Sequence, residues 1–341
     1  MVRVVAMRAP TRIDFGGGWT DVPPYAQREG GVVCAMAIAR YATAELRGGG
    51  GPVPRKAGTT QGKTSAPPSP YEAKTAGGVE APLIRAALER AGLTSRLQVR
   101  LDSDFPVGAG LGGSSAASAA LLGALDRWRG VPIDRAGIAE RGRTIEIEDL
   151  GVAGGRQDHY CATYGGLLGL TFGRGVEVRR LALPPTLREE LERRCVLVYT
   201  GESRISGDTI TGVLEGYRRG EKRVTFALAR LRDLAQQMLA ALARADVDAL
   251  GALVDEHWTY QRSLHPSIPT ARIDAIVERA HGAGATGVKA TGASGGGCVV
   301  AIARHGVEDA VRRAVAELGE LVPFTLDEEG LVACDWNAET P

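Results

Sequence analysis

Residues 105–125 read FPVGAGLGGSSAASAALLGAL: four glycines and two serines run directly into alanine and leucine. A glycine loop must therefore pass into a helix, expected over 114–128. A helix start leaves about four backbone N–H groups unpaired and carries roughly half a positive charge. Glycines before it let the backbone approach an anion closely, because no Cβ intervenes. Ser114 and Ser115 add hydroxyls that can cap the helix, touch phosphate oxygens or ligate Mg²⁺. Ala116, Ala117, Ser118, Ala119 and Ala120 are small enough for tight packing below the site. The stretch is either a capped helix with a flexible entry or a phosphate cradle. Its spacing is not that of a G-x-x-x-x-G-K-[ST] loop. Nor is it the dinucleotide fingerprint, because no credible ribose-binding acid follows ~20 positions on.

The rest of the chain narrows the choice. At 341 residues about two domains are expected, at ~150 residues each. Hydrophobic residues make up 44% and charged ones 24%, the proportions of an ordinary globular chain. Lys+Arg 41 against Asp+Glu 40 leaves +1, so there is no electrostatic case for nucleic acid or an anionic membrane. No apolar run approaches the ~20 residues that span a bilayer, and MVRVVAMRAPTRIDF lacks the basic-then-apolar design of a secretion signal. Five scattered cysteines without a CxxC pair argue for reduced thiols in a cytoplasm, and against disulfides or a zinc site. These totals describe a cytosolic α/β enzyme.

Strands are expected over 2–10, 30–46, 96–106 and 165–172, and helices over 81–93 and 133–151. Residues 48–80 hold almost no large apolar side chains and read as a mobile loop, either an ordinary insertion or a lid over bound nucleotide. A second half begins near 184, with a buried strand at 195–201 and helices over 226–246, 247–264 and 269–287. A glycine loop, another helix and a final strand close the chain. The expected domains are 1–183 and 184–341.

Three further patches bear on chemistry. APTRIDFGGGWTD (9–21) packs a cation, an acid pair and three glycines behind the first strand. EIEDLGVAGGRQDHY (146–160) spaces Glu146, Glu148, Asp149 and Asp158 around a glycine turn. KATGASGGGC (289–298) is a second glycine loop with one lysine. Two phosphate-capable loops, spaced carboxylates and an isolated arginine are the components of phosphoryl transfer.

These motifs resemble those of the GHMP kinase superfamily, all three in the expected order and spread over nearly the whole chain. Within it, RIDFGGGWTDVPPY, GGRQDHYCATYGG, VYTGESR and the span from HW to SLHPSIPTARID resemble the heptose 7-phosphate kinase branch, with the L-fucokinase domain next. The resemblance implies a two-domain α+β fold: an N-terminal α/β domain of the ribosomal-protein type with a left-handed βαβ unit, and a ferredoxin-like C-terminal domain. It implies a cytoplasmic kinase, monomeric or homodimeric, that uses ATP and Mg²⁺ to phosphorylate the anomeric hydroxyl of a sugar.

Residue by residue, Asp158 matches the catalytic base or hydroxyl orienter, and Arg12 the arginine that favours the deprotonated hydroxyl and steadies the γ-phosphate. Gly108, Gly110, Leu111, Gly112, Gly113, Ser114 and Ser115 match the phosphate cradle, with Ser115 as the Mg²⁺ contact. Glu146 matches the metal-binding glutamate, Glu148 being the alternative; two apart on a helix, they face different sides. Asp21 matches a sugar-hydroxyl ligand, Gly295 and Gly296 the substrate-closing loop, and Arg204 and Lys289 are cations available to a substrate phosphate. His159 departs from the family's glutamine, and Gly113 and Ala109 from its serines. The implied acceptor is D-glycero-D-manno-heptose 7-phosphate, the alternatives an L-fucose-type sugar or a silent sugar- and nucleotide-binding sensor. A decarboxylase of phosphorylated mevalonate is disfavoured by Asp21 in a sugar-type first motif.

Overall fold

Two long strands, β1 (Arg3–Gly16) and β2 (Gly31–Gly48), form the antiparallel ladder on which the N-terminal half is built. The computed structural model describes residues 2–48, 72–75, 81–93, 97–202 and 207–335. The first half of β2 pairs with β5 (Leu167–Phe172) and its second half with β4 (Gln98–Ser103). β3 (Glu72–Thr75) adds parallel to β4, and β6 (Val176–Arg180) antiparallel to β5. The register of β1 against β2 shifts at Pro10/Thr11 and again at Asp14/Gly16. Proline has no N–H to give the ladder, and such bulges bend a strand and re-aim its side chains. Between the two shifts, Arg12 and Asp14 share one face of β1 while Ile13 and Phe15 take the other.

The helix α3 (Gly113–Arg129) lies over β1 and β2, burying Ala116, Ala119, Ala120 and Ala124 almost completely. Alanine there brings helix and sheet backbones close, which places the helix start beside Arg12. Around it stand α2 (Ala81–Arg90), α4 (Arg135–Thr144) and α5 (Gln157–Tyr164). The helix expected over 133–151 is α4 followed by a π-helical turn, Ile145–Asp149. Such turns often accompany functional sites, because the widened turn re-aims its side chains.

The second half holds β7 (Cys195–Tyr199), β8 (Ala285–Ala290), β9 (Cys298–Ala303) and β10 (Glu320–Leu321), all paired antiparallel. Their order, β10-β7-β9-β8, is fourth-first-third-second, the ferredoxin-like arrangement. The first connection carries α7 (Gly207–Arg218), α8 (Lys222–Ala243), α9 (Val247–Ser263) and α10 (Ala271–Gly282), and the last carries α11 (Glu308–Ala316). One apolar cluster joins the halves: Ile13, Phe15 and Met36 meet Leu234, Met238, Leu250 and Val300.

One expectation changes, and two strand pairings are added to it. The stretch 48–80 is not all loop, since Gly48 ends β2 and Glu72–Thr75 form β3; 49–71 and 76–80 lie outside the described residues. β6 completes a hairpin with β5 that the charged VEVRR run concealed. The last strand, β11 (Val332–Ala333), pairs with Met7 and Arg8 of β1, so the chain returns across the 183/184 boundary. Leu331 packs there against Gly123 of α3, where a Cβ would come within 2.9 Å of its side chain.

Candidate active site

The glycine loop before α3 meets the conditions of an anion cradle. Gly112 is the N-cap, in a left-handed conformation at φ 77°, and no side chain caps the helix. No acidic residue of the helix itself occupies the first turn, so its amides and dipole are left to a ligand. A Cβ on Gly112 would sit 3.1 Å from Cγ of Asp158, so glycine is what lets the loop and that carboxylate meet.

Asp158 is the second residue of α5, and Arg12 reaches it across the sheet. Arg12 Nε donates to Asp158 Oδ1 at 2.8 Å, with Nη2 2.7 Å from the same oxygen, while Nη1 donates to the Gly110 carbonyl at 2.7 Å. The Arg12 amide donates to the Leu111 carbonyl. One arginine thus ties strand, glycine loop and α5 together. Burial works against the Arg12 charge, but Asp158 and Asp14 outweigh it and hold the guanidinium above its ordinary value. The Asp158 side chain keeps 28% exposure against 3% for Arg12, so the pair opens on the carboxylate side.

Asp21 caps the same helix. Its Oδ2 accepts from the Arg156 and Gln157 amides at 2.8 and 3.0 Å, and its Oδ1 has no partner. Burial pushes the carboxyl up to about 6; the amide of Gln157 opposes that and the charge of Asp158 adds to it. A side chain at Gly155 would collide with this carboxylate, which accounts for the glycine turn before α5.

Glu146 sits on the π-helical turn. Ser114 Oγ donates to its Oε1 at 3.4 Å, and His159 Nε2 lies 3.6 Å from Oε2. Burial and then the charge of Asp158 push Glu146 up to about 7. His159 is driven down to about 3 by burial and Arg143, so a neutral imidazole rather than an ion pair stands beside Glu146. A half-buried carboxylate crowded by a second carboxylate, offset only at a distance by Arg143 and with no Lys or Arg in ion-pair contact among the described residues, suits a hard divalent ion. Mg²⁺ commonly takes one or two carboxylates and completes its shell with phosphate oxygens and water. Among the described residues no group of three His, Cys, Asp or Glu could hold a metal by itself. Arg90 holds Glu148 at 2.9 Å and Asp149 at 3.0 Å, so both carboxylates are already engaged by that arginine.

Several expected residues stand differently. Ser115, expected as the Mg²⁺ contact, is buried at 3% exposure, and Ser114 is the serine whose hydroxyl reaches Glu146. Lys289 is sealed, not available: it is 0% exposed, its Nζ donates to the Asp14 carbonyl at 2.7 Å and lies 3.2 Å from Asp14 Oδ2. The second glycine loop packs against the first. The Cys298 amide donates to the Ala109 carbonyl, and a Cβ on Gly292 would approach the Gly110 carbonyl to 3.0 Å. Gly295 donates its amide to Ile268, and Gly296 runs close under the Glu202 carbonyl, so these glycines shape the wall. Arg204 lies outside the described residues. Trp19 and Trp258 belong to the C-terminal core, and the His257 ring accepts from the Gly17 amide. Arg143 and Arg156 were not anticipated; the signal for Arg143 is its place three residues before Glu146, the spacing that puts two side chains on one helix face.

Sequence comparison finds the signature described as GHMP kinases N terminal domain over residues 80–166 and that of GHMP kinases C terminal over 238–321. A D-glycero-alpha-D-manno-heptose 7-phosphate kinase from Campylobacter jejuni is 30% identical over 238 residues, covering 67% of this chain and 68% of that protein. A bifunctional fucokinase/GDP-fucose pyrophosphorylase from Arabidopsis thaliana is 28% identical over 325 residues; this accounts for 89% of this chain but 30% of the plant protein. Among solved structures, a D-glycero-D-manno-heptose 1-phosphate kinase from Bacteroides thetaiotaomicron superposes with a TM-score of 0.73 at 22% identity, covering 99% of this chain and 100% of the other.

Proposed function

Because the chain belongs to the GHMP kinase family, a family of phosphotransferases, we propose that it transfers the γ-phosphate of ATP to the anomeric hydroxyl of a sugar. The acceptor we assign is D-glycero-D-manno-heptose 7-phosphate, and the product its 1,7-bisphosphate. One observation carries this reading: a carboxylate held by a buried arginine, open to the cleft, stands at the mouth of an uncapped glycine-rich helix start.

The geometry supports one set of roles. The amides at the start of α3, with Gly108, Gly110, Leu111, Gly112 and Gly113 keeping the approach clear, receive the phosphates. Glu146 and Ser114 would hold Mg²⁺, which supplies neutralisation of phosphate charge. Asp158 Oδ1 is fixed by Arg12, so Oδ2, beside Gly112, is the oxygen left to take the proton of the C1 hydroxyl. As the sugar oxygen bonds to phosphorus, the bond to ADP breaks and the proton passes to Asp158. Arg12 steadies both the carboxylate and the charge that gathers beside it.

A second reading, an L-fucose-type 1-kinase, draws on the match to the plant bifunctional protein over most of this chain. A third, a silent sensor, has against it the presence of Arg12, Asp158 and Glu146 in one cleft. ADP release over heptose 7-phosphate, fucose, galactose, arabinose and mevalonate separates the readings. The heptose phosphate is expected to give the highest kcat/KM, and Asp158→Asn to lower kcat on it by about 10²–10⁴-fold. A variant that keeps more than about a tenth of the wild-type kcat removes the proton-acceptor role.

A further inference from the structure

Buried polar atoms in folded proteins nearly always have partners. Around the start of α5 several do not, among them Asp21 Oδ1, Gln157 Oε1, Arg143 Nε and Arg156 Nε, besides both ring nitrogens of His159. Asp21 and Gln157 are 1% and 8% exposed, so water does not freely satisfy them. The four belong to one place. Arg156 and Gln157 give their amides to Asp21, and Arg143 lies on the helix that packs against α5.

The two arginines are poorly neutralised. Arg156 Nε is 3.6 Å from Glu140, a carboxylate that also accepts from the Tyr160 hydroxyl at 2.9 Å. Arg143 has no carboxylate within ion-pair distance among the described residues. Burial and the like charge of Arg156 pull the Arg143 guanidinium below its ordinary value, against Glu140, Asp21 and Glu146. Arg143 therefore stands within electrostatic reach of both Asp21 and Glu146. Two like charges kept together in a half-buried wall gain most from an anion between them. Guanidinium forks match phosphate oxygens in pairs, and the two free acceptor oxygens suit sugar hydroxyls.

We propose that Arg143 and Arg156 form a receptor for a phosphate ester on the acceptor, with Asp21 and Gln157 accepting from hydroxyls between that ester and the reacting end. The substrate class is then a sugar that already carries one phosphate before the reaction. This rests on the sugar-kinase reading above. It also supplies the cations for a substrate phosphate that Lys289, sealed against Asp14, does not.

The test compares heptose 7-phosphate with the same heptose lacking the phosphate, in the wild type, Arg143→Met, Arg156→Met and the double variant. Each single loss is expected to raise KM for the phosphorylated sugar about tenfold or more, the worth of a hydrogen bond to a charged group. KM for ATP and for the unphosphorylated heptose should stay within about twofold. Calorimetric Kd values for heptose 7-phosphate, measured in an Asp158→Asn background, should rise in step. Arg143→Lys and Arg156→Lys keep the charge without the fork and should fall between, which also covers the case of a methionine variant that does not fold. An increase confined to KM for ATP assigns the arginines to the phosphate donor and overturns the proposal; so does an unchanged Kd for the phosphorylated sugar. A wild type that turns over no heptose refutes the parent reading instead, and the calorimetric comparison then decides the receptor by itself.

Discussion

Two residues of β1 take part in buried charge pairs with opposite characters. Arg12 pairs with Asp158 and Asp14 with Lys289, and both cations are hidden from solvent. The difference lies in the carboxylates. Asp158 keeps 28% side-chain exposure and one oxygen not engaged by Arg12, whereas Asp14 is exposed at 2% and closed over by Lys289 and the Gly18 backbone. A pair open on its anionic side can exchange a proton or meet a ligand. A pair sealed on both sides can only hold its surroundings in place, here by tying β8 to β1. Sealing also costs more to disturb, because a lone buried charge has no water to turn to.

Substitutions can break this contrast. Lys289→Met leaves Asp14 buried and unpaired, and unfolding free energy should drop by ~3–5 kcal/mol in urea titration. Asp158→Asn keeps an acceptor for Arg12 and should cost only about 1–2 kcal/mol while abolishing most turnover. Equal destabilisation by the two would erase the distinction between scaffold and site. A subtler cut separates the neighbouring serines. Ser114→Ala should raise the Mg²⁺ concentration for half-maximal rate about tenfold; Ser115→Ala, inside the packing, should act on stability and leave the Mg²⁺ requirement alone. The reverse pattern would return the metal contact to Ser115.

A pH-dependent effect concerns Asp21, whose carboxyl stands at about 6 in the fold against 3.8 ordinarily. The folded state holds that proton more tightly than the unfolded chain does. Its contribution to stability is therefore complete below about pH 4 and is lost as pH rises through about 6. Asp21→Asn should flatten the stability curve across that window; an unchanged slope would mean that the cap amides of Arg156 and Gln157, not burial, govern the group.

Much of the site was legible in the chain because its chemistry is written in short motifs. Arg12, Asp21, Glu146 and Asp158 were each expected from their motifs, and the structure brings their elements to one cleft. What the chain withheld was phase and closure. A serine pair at a helix start does not say which hydroxyl faces out until the helix is wound; here it is Ser114 that reaches Glu146, while Ser115 is buried. A lysine on a strand buried on both faces looks like any other cation until its strand is paired, which is why Lys289 read as free. β11 is two residues long and finds its place only by long-range pairing with β1, so no local pattern announces it. Arg143 and Arg156 look like ordinary charged helix residues in sequence, and only their missing partners set them apart.

The most direct test of the central claim is phosphorus NMR of the product formed from ATP and D-glycero-D-manno-heptose 7-phosphate. The account predicts a second phosphate signal coupled to the anomeric proton, with the original ester intact and ADP formed in equal amount. ADP without a new sugar phosphate, or a new ester at any carbon other than C1, would contradict it.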